Sequence, residues 1–221
     1  MIILLTGGIG SGKTLTAVKE IIKRKNKVFT NFDLYGYPYT RLKHEHLFQT
    51  DKKTKKIKLN FDFWNKETKK GRFDIFLDEF HNTMGSRRAM SKKNVLMSDW
   101  LSQIRKILGA SEKNHLYLIT QKLRRIDVNS RDLAHLAVRC EKETYEDVKI
   151  PTEVRYKGKL ITKRMPMVMI TEYFFQDADA LSRSEEHGIR SKIGCRRFIA
   201  NLYYKYYDSY ELIDFGSQDY V

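Results

Sequence analysis

The chain has 221 residues, with 42 Lys and Arg against 27 Asp and Glu, a formal net charge of +15 and a sequence pI near 9.7. That length suits one α/β domain with a full core, and the cation excess points to a polyanionic partner or an anionic surface, with a lysine-rich solubilising shell as the plain alternative. No run reaches the ~18 apolar residues of a membrane span, the N-terminal apolar stretch is too short for a signal peptide, and Cys140 and Cys195 have no metal-ligand spacing, so a soluble, intracellular protein with reduced thiols is expected.

Ile2 to Leu5 is an all-apolar run suited to a strand buried on both faces. Gly7-Gly8-Ile9-Gly10-Ser11-Gly12-Lys13-Thr14 follows at once and fits G-x-x-x-x-G-K-[ST]. Leu15, Val18, Ile21 and Ile22 then recur at helical spacing, up to the basic cluster Lys23-Arg24-Lys25. Strand, glycine loop and helix are the context a phosphate loop requires. Its glycines let backbone N–H groups turn inward around phosphate oxygens, at a helix terminus whose dipole favours an anion. The stretch from Gly7 to Leu15 is therefore predicted to bind a nucleotide. Lys13 would reach the β- and γ-phosphates, and the Thr14 hydroxyl would ligate Mg²⁺.

Lys27 to Phe32 reads as a second strand closing in a turn-prone Asn-Phe-Asp. Tyr35-Gly36-Tyr37-Pro38-Tyr39 is a loop. The block Asp51 to Lys58 is strongly basic, a hairpin tip or mobile loop, followed by the anchors Phe61, Phe63 and Trp64. Lys52, Lys53, Lys55 and Lys56 are either a solvated turn or a nucleic-acid contact. Phe73 to Glu79 is an apolar strand ending in two carboxylates, the Walker B pattern. Asp78 would hold the Mg²⁺ shell, and Glu79 would polarise the water attacking the γ-phosphate. A strand ending in Asp-Glu is weak alone, but a metal bound by Thr14 needs such a carboxylate.

Asn94 to Leu108 has the apolar face of a helix, stopped by Gly109. His115 to Gln121 is a third buried-type strand, and its terminal Gln121 either faces a ligand or caps a neighbouring loop. Ile126 to Arg131 makes a turn into a short helix, and Ala137 to Cys140 is a further strand. From Thr144 the pattern changes. Val154 to Thr162 and Met165 to Phe175 read as a hairpin turning at Lys157-Gly158-Lys159, and Asp177 to Lys192 as a polar loop. Tyr203, Tyr204, Tyr206, Tyr207 and Tyr210 suit packing onto the sheet better than stacking on bases. Residues 1–143 are thus expected to form the core and 144–221 a β-rich extension packed on the same domain.

Thr6 to Thr14, Thr30-Asn31, Asp78-Glu79-Phe80-His81, Ser86-Arg87, Ile104-Arg105-Lys106 and Leu118 to Gln121, with Arg131 trailing, occur in an order that resembles the zonular occludens toxin (Zot) family. That family belongs to the FtsK–HerA group of P-loop motors, which includes filamentous-phage assembly ATPases and relatives of viral genome-packaging ATPases. The resemblance covers about residues 1–140. It implies a RecA-like P-loop NTPase of the ASCE class, α/β, with a mostly parallel central sheet flanked by helices, to which the C-terminal hairpin is added. It further implies ATP and Mg²⁺ as ligands, a homo-oligomeric, hexamer-like ring, and Gln121 as a γ-phosphate sensor. An arginine from the next subunit would complete the site: Arg105 first, then Arg87 and Arg88, then Arg131. Phage members normally carry a transmembrane segment after the ATPase domain, and this chain shows none. The expectation is therefore a motor translocating double-stranded DNA, a genome-packaging ATPase in the cytoplasm of an infected cell, transiently at a procapsid or membrane. The alternative is an assembly or extrusion ATPase acting on coat protein at a membrane through a partner. A nucleotide switch is disfavoured by Glu79, and a small-molecule kinase by the lack of a lid-and-acceptor signature.

Overall fold

Alternation along the first strand assigns the two faces of the molecule. β1 (Ile2–Thr6) is buried throughout. Ile2 and Leu4 join one hydrophobic cluster, Ile3 and Leu5 a second, as the two-residue period of a strand dictates. The structure, a computed structural model, describes residues 1–50, 57–80, 92–108, 114–126, 128–187 and 191–208.

Five parallel strands join β1 in one sheet: β2 (Lys27–Thr30), β3 (Thr40–Arg41), β6 (Phe73–Leu77), β7 (His115–Ile119) and the start of β8 (Leu136–Tyr156). β9 (Lys159–Phe175) and β10 (Gly194–Ile199) extend it antiparallel, giving the order β10-β9-β8-β1-β7-β6-β2-β3. Helix α1 (Lys13–Arg24) sends Ala17, Val18 and Ile21 into the second cluster, on one face. α3 (Phe61–Lys70) and α4 (Lys92–Leu108) cover the other with Trp64, Trp100, Leu101 and Ile104. This is the mostly parallel sheet with helices on both faces that the RecA-like reading anticipates. Placing β7 between β1 and β6 sets the end of the glutamine-bearing strand between the phosphate loop and the Walker B carboxylates.

A short helix α2 (His44–Leu47) leads into β4 (Phe48–Thr50), which pairs antiparallel with β5 (Ile57–Leu59). These strands flank the lysine block. Lys52, Lys53, Lys55 and Lys56 themselves lie outside the described residues. α5 (Val128–Asp132) precedes β8, and α6 (Ala178–His187) follows β9. Among the described residues, no helix is long and apolar enough to cross a membrane.

The structure departs from expectation in two places. Within the stretch expected as a polar loop, Asp177 to Lys192, residues 178–187 form a helix. Asp177 Oδ1 accepts the Ala180 N–H at 2.6 Å, and Ala178, Ala180, Leu181 and Ser184 face inward. Three of those four are too small or polar to register as an apolar stripe. The hairpin is also far longer than its apolar segments suggest, because β8 runs unbroken from Leu136 in the core to Tyr156. The boundary expected at 143/144 falls inside this strand. Residues 142–146 are exposed, so they lack the apolar pattern by which a strand is read. The turn itself is where the sequence placed it: Lys157 (φ 46°) and Gly158 (φ 78°) form the two left-handed positions of a tight hairpin between Tyr156 and Lys159. Of the tyrosines, Tyr203, Tyr206 and Tyr207 pack against the second cluster, with Tyr207 edge-on to Phe32. Tyr204 is exposed, and Tyr210 lies outside the described residues.

Candidate functional site

Because β1, β6, β7 and β8 run parallel, Thr6, Asp78, Gln121 and Cys140 all emerge at one edge of the sheet, where open α/β folds bind ligands. The glycine loop crosses this edge. Gly7 has φ 145°, and a Cβ there would lie 2.5 Å from the Cys140 carbonyl oxygen. Gly12 has φ 88°, and its Cβ would lie 2.3 Å from Ile170 Cδ1. Only glycine meets both demands at these two positions. The loop is drawn together by Ser11 N–H donating to Gly8 O at 3.2 Å. Ile9 stands at its tip, 88% exposed, while Leu15 packs partly into the second cluster.

Lys13, at the first position of α1, is only 7% exposed, and its ammonium donates to Gly8 O at 2.9 Å. Burial pushes its pKa below the ordinary lysine value, against the pull of Asp78 and Glu79. Thr14 Oγ1 donates to Asp78 Oδ2 at 2.6 Å, and the Glu79 N–H donates to Asp78 Oδ1 at 2.7 Å. Asp78 is nonetheless held too deep for its charge: burial raises the carboxyl to about 6 despite both donors. Glu79 follows in a left-handed conformation at φ 48°, which a residue with a side chain occupies at a cost. Gln121 Nε2 donates to Glu79 Oε1 at 3.3 Å. The lysine, the hydroxyl and both carboxylates therefore converge, and Gln121 touches the outermost of them.

One residue of this constellation, Asn31, stands in the sequence among the family-like motifs but without a role of its own. Asn31, fully buried after β2, clamps the Asp78 backbone from both sides: its Nδ2 donates to Asp78 O at 2.9 Å, and its Oδ1 accepts the Asp78 N–H at 2.8 Å. It fixes the backbone from which Asp78 and Glu79 project. The available signal was an amide directly after a strand, which reads equally well as a turn residue.

The residues fit a Mg²⁺–nucleoside triphosphate. The Gly12 N-cap gives α1 no side-chain hydrogen bond, leaving its first N–H groups for an anion. Ser11 Oγ is buried without a hydrogen-bond partner in the same loop. Thr14 and Asp78 offer the hard oxygen ligands Mg²⁺ prefers. Among the described residues there is no cluster of three or more His, Cys, Asp or Glu able to cage a metal.

A family model described as zonular occludens toxin (Zot) matches residues 1–166. The chain belongs to the Zot family. Among solved structures, this Zot-family chain is similar to the N-terminal domain of zonular occludens toxin from Neisseria meningitidis, at 20% identity and a TM-score of 0.49, covering 90% of this chain and 92% of that one. It is also similar to the genome packaging NTPase B204 from Sulfolobus turreted icosahedral virus 2 in complex with ATP-gammaS, at 16% identity and a TM-score of 0.42, covering 81% and 93% respectively. No curated protein matches it.

The arginines expected to act in trans are placed unevenly. Arg87 and Arg88 lie outside the described residues, as does the side chain of Arg105, whose backbone is in α4. Arg131 lies in the last turn of α5, half-buried, with its Nε lacking a hydrogen-bond partner.

Proposed function

We propose that this chain is an ATP-hydrolysing motor that translocates viral DNA, with genome packaging as its task. The observation that carries the hydrolytic part is the joint placement of the Thr14–Asp78 and Glu79–Gln121 pairs at the phosphate-loop edge of the sheet. In this reading the loop from Gly7 to Leu15 cradles the phosphates, and Lys13 neutralises the β- and γ-oxygens. Mg²⁺, held by Thr14 and Asp78, would supply further charge neutralisation on the phosphates. Glu79 orients and polarises the attacking water. Gln121, by pairing with Glu79, registers whether that carboxylate is engaged, and transmits the change through β7. An arginine from a neighbouring subunit of a homo-oligomeric, hexamer-like ring, with Arg105, Arg87, Arg88 and Arg131 as candidates, stabilises charge on the transferred phosphoryl group. Membership of the Zot family and the +15 charge support a polyanionic track.

Steady-state ATP hydrolysis with and without double-stranded DNA, single-stranded DNA and anionic liposomes tests this, with Glu79→Gln as the blank. The motor reading expects stimulation by DNA that falls with salt and vanishes in the blank. Stimulation by liposomes alone would instead favour a virion-assembly ATPase working on coat protein at a membrane. No turnover under any condition would remove the motor.

A further inference from the structure

The long hairpin has no part in the chemistry above. β8 loses its β1 neighbour after Arg139, and β9 loses β10 beyond Met169, so among the described residues the two strands pair only with each other from Thr144 and Val168 outward. Asn201 staples the base of this ribbon, accepting the Val168 N–H at 2.7 Å and donating to Pro166 O at 3.0 Å. Beyond that point the ribbon continues from the same sheet edge as the phosphate loop, for roughly 40 Å if fully extended. Two strands without a third or a covering helix are marginally stable in water, so a ribbon of this length is suited to be completed by a partner.

Its charge names the partner's chemistry. Between residues 149 and 164 the sequence carries Lys149, Arg155, Lys157, Lys159, Lys163 and Arg164, with Glu153 the sole acid. Lys149, Arg155, Lys157, Lys159 and Arg164 are exposed. Lys149 also sits directly across from Arg164 in the ladder. Side by side in the ladder, these two exposed cations concentrate positive charge on the ribbon, as an anionic partner would require. The turn at the tip is Lys157-Gly158 followed by Lys159, hydrated cations where a membrane-inserting hairpin would carry apolar or aromatic side chains. A two-stranded ribbon is also narrow enough for the major groove of duplex DNA, about 12 Å wide.

We infer that the β8–β9 ribbon is a nucleic-acid arm that lies along the phosphate backbone of double-stranded DNA. The inference rests on the proposed DNA-moving function and deepens it. The base of the arm adjoins the nucleotide site, since the Cys140 carbonyl abuts Gly7 and Ile170 abuts Gly12. The phosphate loop and the two strands that carry the arm are thus in direct contact.

The test is fluorescence-anisotropy binding of a labelled 30-base-pair duplex to the full chain across a salt series, without hydrolysis. Replacing Lys149, Arg155, Lys157, Lys159 and Arg164 with Gln should weaken binding by at least tenfold and flatten the salt dependence, since each lost phosphate contact removes about 0.9 from the log–log slope. Binding of a fluorescent ATP analogue should stay unchanged, which shows that the domain is folded. Lys149→Glu alone separates recognition from structure. It should lower DNA affinity about threefold or more while leaving the melting temperature nearly unchanged, because Lys149 is exposed and surface substitutions change stability little. Unchanged DNA affinity and slope in the five-site variant would overturn the arm. So would a wild-type chain that binds vesicles of anionic phospholipid and not DNA. Intact DNA binding by the arm with no DNA-stimulated hydrolysis would remove the motor and leave the arm standing.

Discussion

Two of the places where the molecule buries charge treat it differently. On the α1 side of the sheet, Lys19 is fully buried yet donates to Glu172, Arg196 bonds both Glu172 and Glu20 at 2.6 Å, and Arg24 bonds Asp74 at 2.7 Å. Every charge in that network has an opposite partner within the chain. At the phosphate-loop edge the balance is not closed: burial lowers Lys13 as it does Lys19, but there it also drives the Asp78 carboxyl up to about 6 in spite of two donors, and Ser11 Oγ has no partner. Buried charges that satisfy one another are architecture. Buried charges left short of compensation mark a site designed around an outside ion, here a phosphate with its metal.

The sharpest way to break this contrast is to remove one partner from each region. Glu172→Gln leaves buried Lys19 with Glu20 alone, at 3.1 Å, and takes one of two partners from Arg196; it should cost about 3 kcal/mol, seen as a fall of roughly 10 °C in melting temperature. Calorimetric or circular-dichroism melting checks it; a shift of a degree or two would mean the network is not the strut described. Asp78→Asn should do the reverse. Hydrolysis should drop on the order of 100-fold, while the melting temperature holds or rises, because the substitution removes a buried charge the fold does not compensate. A large destabilisation would move Asp78 to the architectural side.

Asn31→Ala sharpens the comparison from within the site. It deletes both hydrogen bonds to the Asp78 backbone and should cost about 2 kcal/mol of stability. Its distinguishing effect is kinetic: kcat should fall with little change in KM for ATP, since the loop and Lys13 are untouched. An equal rise in KM would argue for a general loosening of the edge. The smallest effect is a pH dependence. Burial alone would raise the Asp74 carboxyl, but hydrogen bonds from His115 and Arg24 outweigh it and hold the pKa below 3.8. The stability it gives is therefore complete above pH 3.8 and lost as pH falls through the lowered value. Acid melts of wild type and Asp74→Asn should converge below that window and diverge above it.

How far each region was legible in the sequence follows the same division. The phosphate-loop edge depends on local patterns, so Gly7 to Thr14, Asp78-Glu79 and Gln121 could be read, each beside the strand that delivers it. The paired network could not. Lys19 and Glu172 lie 153 positions apart, and on a helix a buried lysine looks like any surface lysine until its partner strand is in place. Asn31 was ambiguous for a related reason, since its partner is the backbone of another strand. The ribbon was half-visible: its turn and β9 carried apolar alternation, but the exposed stretch of β8 faces solvent on both sides and has no period to read.

The most direct measurement is a calorimetric titration of ATP into wild type and Asp78→Asn, each with and without Mg²⁺. The account predicts that Mg²⁺ tightens ATP binding to wild type and leaves Asp78→Asn unaffected, with metal-free affinities alike. Mg²⁺-dependent tightening that survives in Asp78→Asn would contradict it, because the uncompensated carboxylate would then not be the metal's place.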